Sequence, residues 1–147
     1  MPTDSTQINT DHRFPEKELC HKIIGCLFAA HNKYGSGHRE IIYDRAFQEE
    51  LEQAKISFIA KPKITLHSVT NGKRIGFFVP DYLINDKVLV ELKALPPHKM
   101  IEAGRQLLEY LKISKYELGY AVNFAEKTLK PCRYIHTNDR KQFICDL

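Results

Sequence analysis

The stretch Phe78-Val79-Pro80-Asp81-Tyr82-Leu83-Ile84-Asn85-Asp86-Lys87-Val88-Leu89-Val90-Glu91-Leu92-Lys93 constrains this chain most. It reads as two short apolar strands joined by a polar turn. Asp81, Glu91 and Lys93 lie inside those strands. Charge in a buried strand is costly unless it is paired or coordinates a metal. With a loop of Asn85-Asp86-Lys87, Ile84 faces Val88 and Asp81 faces Glu91. Directly opposed residues project to the same sheet face, with Cβ atoms ~5 Å apart. Two carboxylates at that spacing repel unless a cation lies between them. Lys93 follows Glu91 by two and shares its face. A shorter loop, of two residues, would shift the register by one and turn Glu91 to the opposite face.

Opposed carboxylates with no thiolate or imidazole between them suit a hard cation, Mg²⁺ or Mn²⁺. Such an ion polarises a phosphoryl oxygen and generates a nucleophilic water. Lys93 can orient that water or stabilise developing charge. The competing reading is an ordinary Asp–Lys or Glu–Lys ion pair within a sheet.

The rest of the chain supplies the frame. Leu19, Ile23, Cys26, Leu27, Ala30 and Tyr34 recur at helical spacing after Pro15, and Gly35 ends that helix. His31 falls in its last turn, where a cap or dipole role is expected. A second helix is predicted over 38–55, with an apolar stripe of Tyr43, Phe47, Leu51 and Ala54. Its periodicity puts Glu40 on the same face, in the first turn. Capping of the free N–H groups there is the alternative use for that carboxylate. Residues 56–66 are β-like, with an edge or interruption at Pro62. Asn71-Gly72 marks a hairpin. The next strand runs from Lys73 to Ile84 and a third from Val88 to Ala94, a three-stranded meander. After Pro96-Pro97 a helix is expected over 98–114, then strands at 118–124 and 132–136. This order predicts an α/β sandwich of three layers, a mixed sheet of four to five strands flanked by helices.

With 147 residues the chain is expected to form a single domain over 14–147, led in by a polar segment at 1–13 without an apolar signal core. No apolar run reaches the ~18 residues of a membrane span, which argues against a membrane partner. Cys20, Cys26, Cys132 and Cys145 match no zinc spacing and are expected as reduced thiols of a cytoplasmic protein. A net charge of +4 permits an anionic partner without demanding one. It offers few charges to grip a duplex, so a homodimer or an accessory protein is conceivable. Lys61 and Lys63, with Lys73-Arg74, can rim a phosphate-facing surface. His98 and Lys99, at the helix start beside the site, are stronger candidates for phosphate contact.

Pro80-Asp81 followed by Glu91-Leu92-Lys93 resembles the PD-(D/E)XK signature of restriction-endonuclease-like nucleases. Gly37-His38-Arg39-Glu40-Ile41-Ile42-Tyr43 matches the G-x-x-E-x-x-Y motif of the GxxExxY family, and Gln106-Leu107-Leu108-Glu109-Tyr110 resembles the Q-x-x-x-Y motif of RecB-type nucleases. The resemblance implies a restriction-endonuclease-like fold and a prokaryotic, Mg²⁺- or Mn²⁺-dependent nuclease acting on nucleic acid, DNA first. It implies Asp81, Glu91 and the Leu92 carbonyl as metal ligands and Lys93 as the catalytic lysine. Glu40 would complete the site, directly or through water. Gln106, Tyr110 and Tyr43 would support it or touch the nucleic acid. The loop Tyr34–Arg39 is more polar and basic than in many relatives, which bears on what is bound. Two other readings stay open: a non-catalytic nucleic-acid or protein-binding module on the same fold, and a hydrolase of smaller phosphate esters.

Overall fold

The computed structural model describes residues 16–137 and 143–147, so the lead-in at 1–13 and the helix opening at Phe14-Pro15 lie outside the described residues. Helix α1 spans Lys17–Tyr34 and α2 spans Glu40–Gln53. Strands β1 Phe58–Ala60, β2 Ile64–Ser68, β3 Arg74–Phe78, β4 Tyr82–Ile84 and β5 Val88–Lys93 follow. A short 3₁₀ turn at Pro97–Lys99 leads into α3, Met100–Lys112. Strands β6 Leu118–Asn123, β7 Cys132–Ile135 and β8 Phe143–Asp146 close the chain.

Five strands form the main sheet in the order β1-β4-β5-β6-β7. It is mixed: β5 and β6 run parallel, and the other pairs are antiparallel. Helix α3 makes the crossover that a parallel pair requires. One face of the sheet, with Tyr82, Ile84, Val88, Val90, Leu92, Tyr120 and Val122, packs on Ile23, Leu27, Tyr43, Phe47 and Leu51 of α1 and α2. The opposite face, with Leu83, Leu89 and Ala121, packs on Leu107 and Leu111 of α3 and on Ile64, Leu66 and Phe78. These are the layers of an α/β restriction-endonuclease-like fold.

The expected meander is not formed. The run from Lys73 to Ile84 is two strands in two sheets, because β3 pairs with β2 and β8 in a separate antiparallel sheet of three strands. Pro80 has no N–H to donate to a ladder, and it breaks the run. The earlier break lies at Lys61, whose φ of 52° is in the left-handed region, followed by Pro62. The two breaks are neighbours: Lys61 N–H donates to the Asp81 carbonyl at 2.8 Å. The hairpin at Asn71-Gly72 is present, with Gly72 at φ 73° and its N–H on the Ser68 carbonyl at 2.8 Å. Strand β8 carries no pattern that set it apart in the sequence.

Three expectations about the helices need correction. Tyr34 and Ala54 are exposed, not part of the buried stripes. His31 is no solvent-side cap. It is buried, its Nε2–H donates to the Glu126 carbonyl at 2.8 Å, and its ring packs against Tyr43 and Phe124. Helix α2 starts at Glu40 rather than His38.

Helix α3 lies close on β6 because Gly119 has no side chain. A Cβ there would sit 2.9 Å from Leu107 Cδ1 and 3.0 Å from the Leu89 carbonyl oxygen. Gly119→Val should therefore lower stability by about 1–3 kcal/mol, the usual result of overpacking, seen as an earlier urea midpoint. An unchanged midpoint would show that α3 can move off the sheet freely.

Candidate active site

The β4–β5 turn sets the site. Ile84 pairs with Val88, Leu83 with Leu89 and Tyr82 with Val90, so three residues, Asn85, Asp86 and Lys87, form the loop. Asn85 and Asp86 adopt φ of 52° and 51°, which these two residue types tolerate better than most, and Lys87 N–H closes the turn on the Ile84 carbonyl at 3.0 Å. Continued by one step, this register puts Asp81 opposite Glu91. Both are buried, at 8% and 3% exposure. With Lys93 they alternate with the residues that face α1 and α2, so they belong to the α3 side.

The carboxylates are bound into the backbone. Asp81 N–H donates to Glu91 Oε1 at 2.9 Å, and Leu92 N–H donates to Asp81 Oδ2 at 2.7 Å. The remaining Asp81 oxygen, Oδ1, accepts Lys61 Nζ at 2.5 Å. Burial, the largest single influence, pulls the Lys61 ammonium down in pKa, but its hydrogen bond to Asp81 and the charges of Asp81, Asp44 and Glu91 together outweigh it and leave it raised. The sequence offered Lys61 only as one cation of a surface rim. No pattern in a lysine before proline reveals that it turns back to a carboxylate twenty residues on.

Burial, and then the charge of Asp81, push Glu91 up from its ordinary 4.5 to about 7. The Asp81 N–H and the charges of Lys93 and Lys61 act in the opposite direction but do not cancel it. Glu40 is exposed, a correction to its expected place on the core-facing stripe. Its carboxyl is nonetheless raised, first by partial desolvation, with Lys93 lowering it and Asp81 raising it. Glu40 thus lies within electrostatic reach of Asp81 and Lys93, though it starts a helix in the other layer. Among the described residues, no three carboxylate, imidazole or thiol groups converge as a ready-made ion cage.

Lys93, Lys99 and Gln106 line a cleft of about 220 Å³ with Leu95, Glu102 and Ala103. His98 lies exposed in the adjoining 3₁₀ turn, outside that lining. Tyr110 stacks on Phe78 at 4.5 Å. Burial, then the charges of Glu91 and Asp81, raise its hydroxyl, while a hydrogen bond from Gln106 lowers it. Gln106 and Tyr110 lie one turn apart on α3, and the charges of both carboxylates reach Tyr110. Tyr43 is different. It is fully buried, and its hydroxyl donates to the Gly35 carbonyl at 2.6 Å and accepts from His38 N–H at 3.1 Å. It holds the loop that delivers Glu40 and offers nothing to a ligand. Asn123 does similar work and had no signal in the sequence. Its buried amide accepts from Leu95 N–H at 3.0 Å and donates to the Leu95 carbonyl at 2.8 Å, fixing the chain just after Lys93.

A family model described as the PD-(D/E)XK nuclease superfamily matches residues 17–135. The chain belongs to the PD-(D/E)XK nuclease superfamily. No curated protein and no solved structure matches it. The PD-(D/E)XK segment contains all of Glu40, Asp81, Glu91, Lys93, Gln106 and Tyr110. Nucleases of this superfamily act on nucleic acid and typically use divalent metals.

Glu91 makes the metal-free protein sensitive to pH. In the folded chain it holds its proton up to about 7, whereas unfolded it releases it near 4.5. Its contribution to stability is full below 4.5 and is lost as pH rises through 7. That difference corresponds to roughly 3 kcal/mol. Urea unfolding in a chelator should show wild type losing stability relative to Glu91→Gln between pH 5 and pH 8. Parallel pH profiles for the two proteins would rule out a raised Glu91.

Proposed function

We propose that this chain is a metal-dependent nuclease that hydrolyses phosphodiester bonds in DNA with a metal-activated water. The observation that carries the reading is the buried pair of Asp81 and Glu91, with too little positive charge around Glu91 to hold it ionised in the ordinary range. These hard oxygens fit Mg²⁺ or Mn²⁺, which keeps several waters and takes one or two carboxylates from a protein. A cage of three carboxylates is not required of such a site.

When bound, the ion supplies a polarised phosphoryl oxygen and a nucleophilic water at neutral pH. Asp81 and Glu91 would hold it, with the Leu92 carbonyl as a third donor and Glu40 acting through water. Lys93 would orient the attacking water and offset charge that develops on the phosphate. Lys99 and His98 would contact substrate phosphates from the 3₁₀ turn. Gln106 and Tyr110 would brace the carboxylates and meet the backbone of the nucleic acid. The motif Gly37–Tyr43 supports membership of the GxxExxY group. The same reading takes residues 14–147 as one domain of a prokaryotic, cytoplasmic enzyme, with room for a homodimer or an accessory protein as partner.

One observation favours a second reading, a non-catalytic binding module. Both oxygens of Asp81 are already engaged, by Lys61 and by Leu92 N–H. A single assay separates the two. Wild type and Lys93→Ala are incubated with duplex, single-stranded and branched DNA, with and without Mn²⁺, and both binding and cleavage are followed. The nuclease reading expects cleavage only with the ion, and a loss of about 10²–10³ in rate for Lys93→Ala with binding retained. Binding without turnover by either protein would establish the module instead.

A further inference from the structure

We propose that Lys61 is the resident counter-ion of the Asp81–Glu91 pair in the metal-free protein, and that a divalent cation enters by displacing its ammonium group from Asp81 Oδ1. The inference rests on the metal-binding reading of the site and adds to it a residue outside the signature.

Lys61 is clipped to Asp81 at both ends. Its N–H donates to the Asp81 carbonyl at 2.8 Å, and its Nζ lies 2.5 Å from Asp81 Oδ1. It holds this position in a left-handed backbone conformation, φ 52°, that residues with a Cβ disfavour. The conformation comes from the point where the chain leaves β1 for the second sheet. Its charge also reaches Asp44, Glu91 and Glu40. Lys93 also lowers Glu40 and Glu91.

The geometry makes this an exchangeable ion. Asp81 Oδ2 is committed to Leu92 N–H, so Oδ1 is the oxygen that an incoming cation would share or take. The Lys61 side chain is 59% exposed, whereas that of Asp81 is 11% exposed. The lysine itself can leave to water at little cost, because an ammonium is a compact charge on a flexible stem. The carboxylate cannot leave, and would be stranded without a cation. Lys61 thus protects the acidic pair when no metal is present and competes with the metal when it is.

The test is metal binding rather than turnover. Mn²⁺ is titrated calorimetrically into wild type, Lys61→Asn and Lys61→Arg, each first checked for folding by circular dichroism. Asparagine is chosen because it tolerates positive φ. Lys61→Gln serves as a second neutral variant if it does not fold. A neutral residue should tighten Mn²⁺ binding on the order of fivefold, the equivalent of about 1 kcal/mol for an exposed ion pair. Lys61→Arg should bind no more tightly than wild type, since a guanidinium holds a carboxylate at least as well. The lysine ¹³Cε signal of Lys61 should move on adding Mg²⁺. Equal or weaker Mn²⁺ binding by the neutral variants would overturn the proposal while leaving the metal site intact. Tighter binding with no DNA cleavage would support the proposal and sink the nuclease reading. If no variant binds Mn²⁺, both fall.

Discussion

Two carboxylates face each other across β4 and β5 because each accepts a backbone N–H from the opposite strand. The rest of the structure depends on this exchange. Asp81 stands where the ladder stops, one residue after a proline that cannot donate. Side chains replace the ladder bonds that would continue the strand pair. Local hydrogen bonds therefore hold the acids in place, and mutual repulsion makes them expensive to leave without a cation. The same arrangement that terminates a strand pair sets two carboxylates where a cation would relieve their repulsion.

The second sheet follows from the same break. Residues between Lys61 and Pro80 leave the main sheet and return to it, and the points of departure and return are joined by two hydrogen bonds, from Lys61 N–H to the Asp81 carbonyl and from Lys61 Nζ to Asp81 Oδ1. Ile64, Leu66 and Phe78 from this excursion cover the α3 face beside Leu83 and Leu89. Phe78 then stacks on Tyr110, which brings α3 against the end of the strand that carries Asp81. The apolar packing of the excursion and the position of the acids are thus one problem. On the other face, Tyr43 ties the loop at Gly35 and His38 so that α2 begins where Glu40 reaches the site's electrostatic field.

Much of this was legible before any coordinates. Alternation along 78–93 placed Asp81, Glu91 and Lys93 on one face, because the side-chain period of a strand is two and a three-residue loop fixes the register. Helical spacing found α1, α2 and α3 to within a few residues. Other features depend on contacts between distant segments. Pro80 read as a residue within one strand, but a proline also ends a ladder, and only the pairing of β3 with β2 and β8 reveals which. Periodicity put Glu40 on the apolar face, but the helix begins at Glu40, and periodicity cannot tell whether that first residue is covered. His31 looked like a last-turn cap. Its partner, the Glu126 carbonyl, is 95 residues away, beyond any local rule.

By itself, the sequence determined the strand pair, its turn and the face shared by two acids and a lysine. Those follow from short-range geometry, namely the twofold period of a strand and the backbone freedom of Asn85 and Asp86. It also carried the motifs of a PD-(D/E)XK chain. Tertiary structure decided what surrounds those acids. It brought Lys61 onto Asp81, set Glu40 at the edge rather than in the core, and buried Glu91 until its carboxyl holds a proton near neutral pH. The physical reason is that charge interacts through space and with solvent. The cost and the partner of a buried carboxylate are settled by what other segments bring to it.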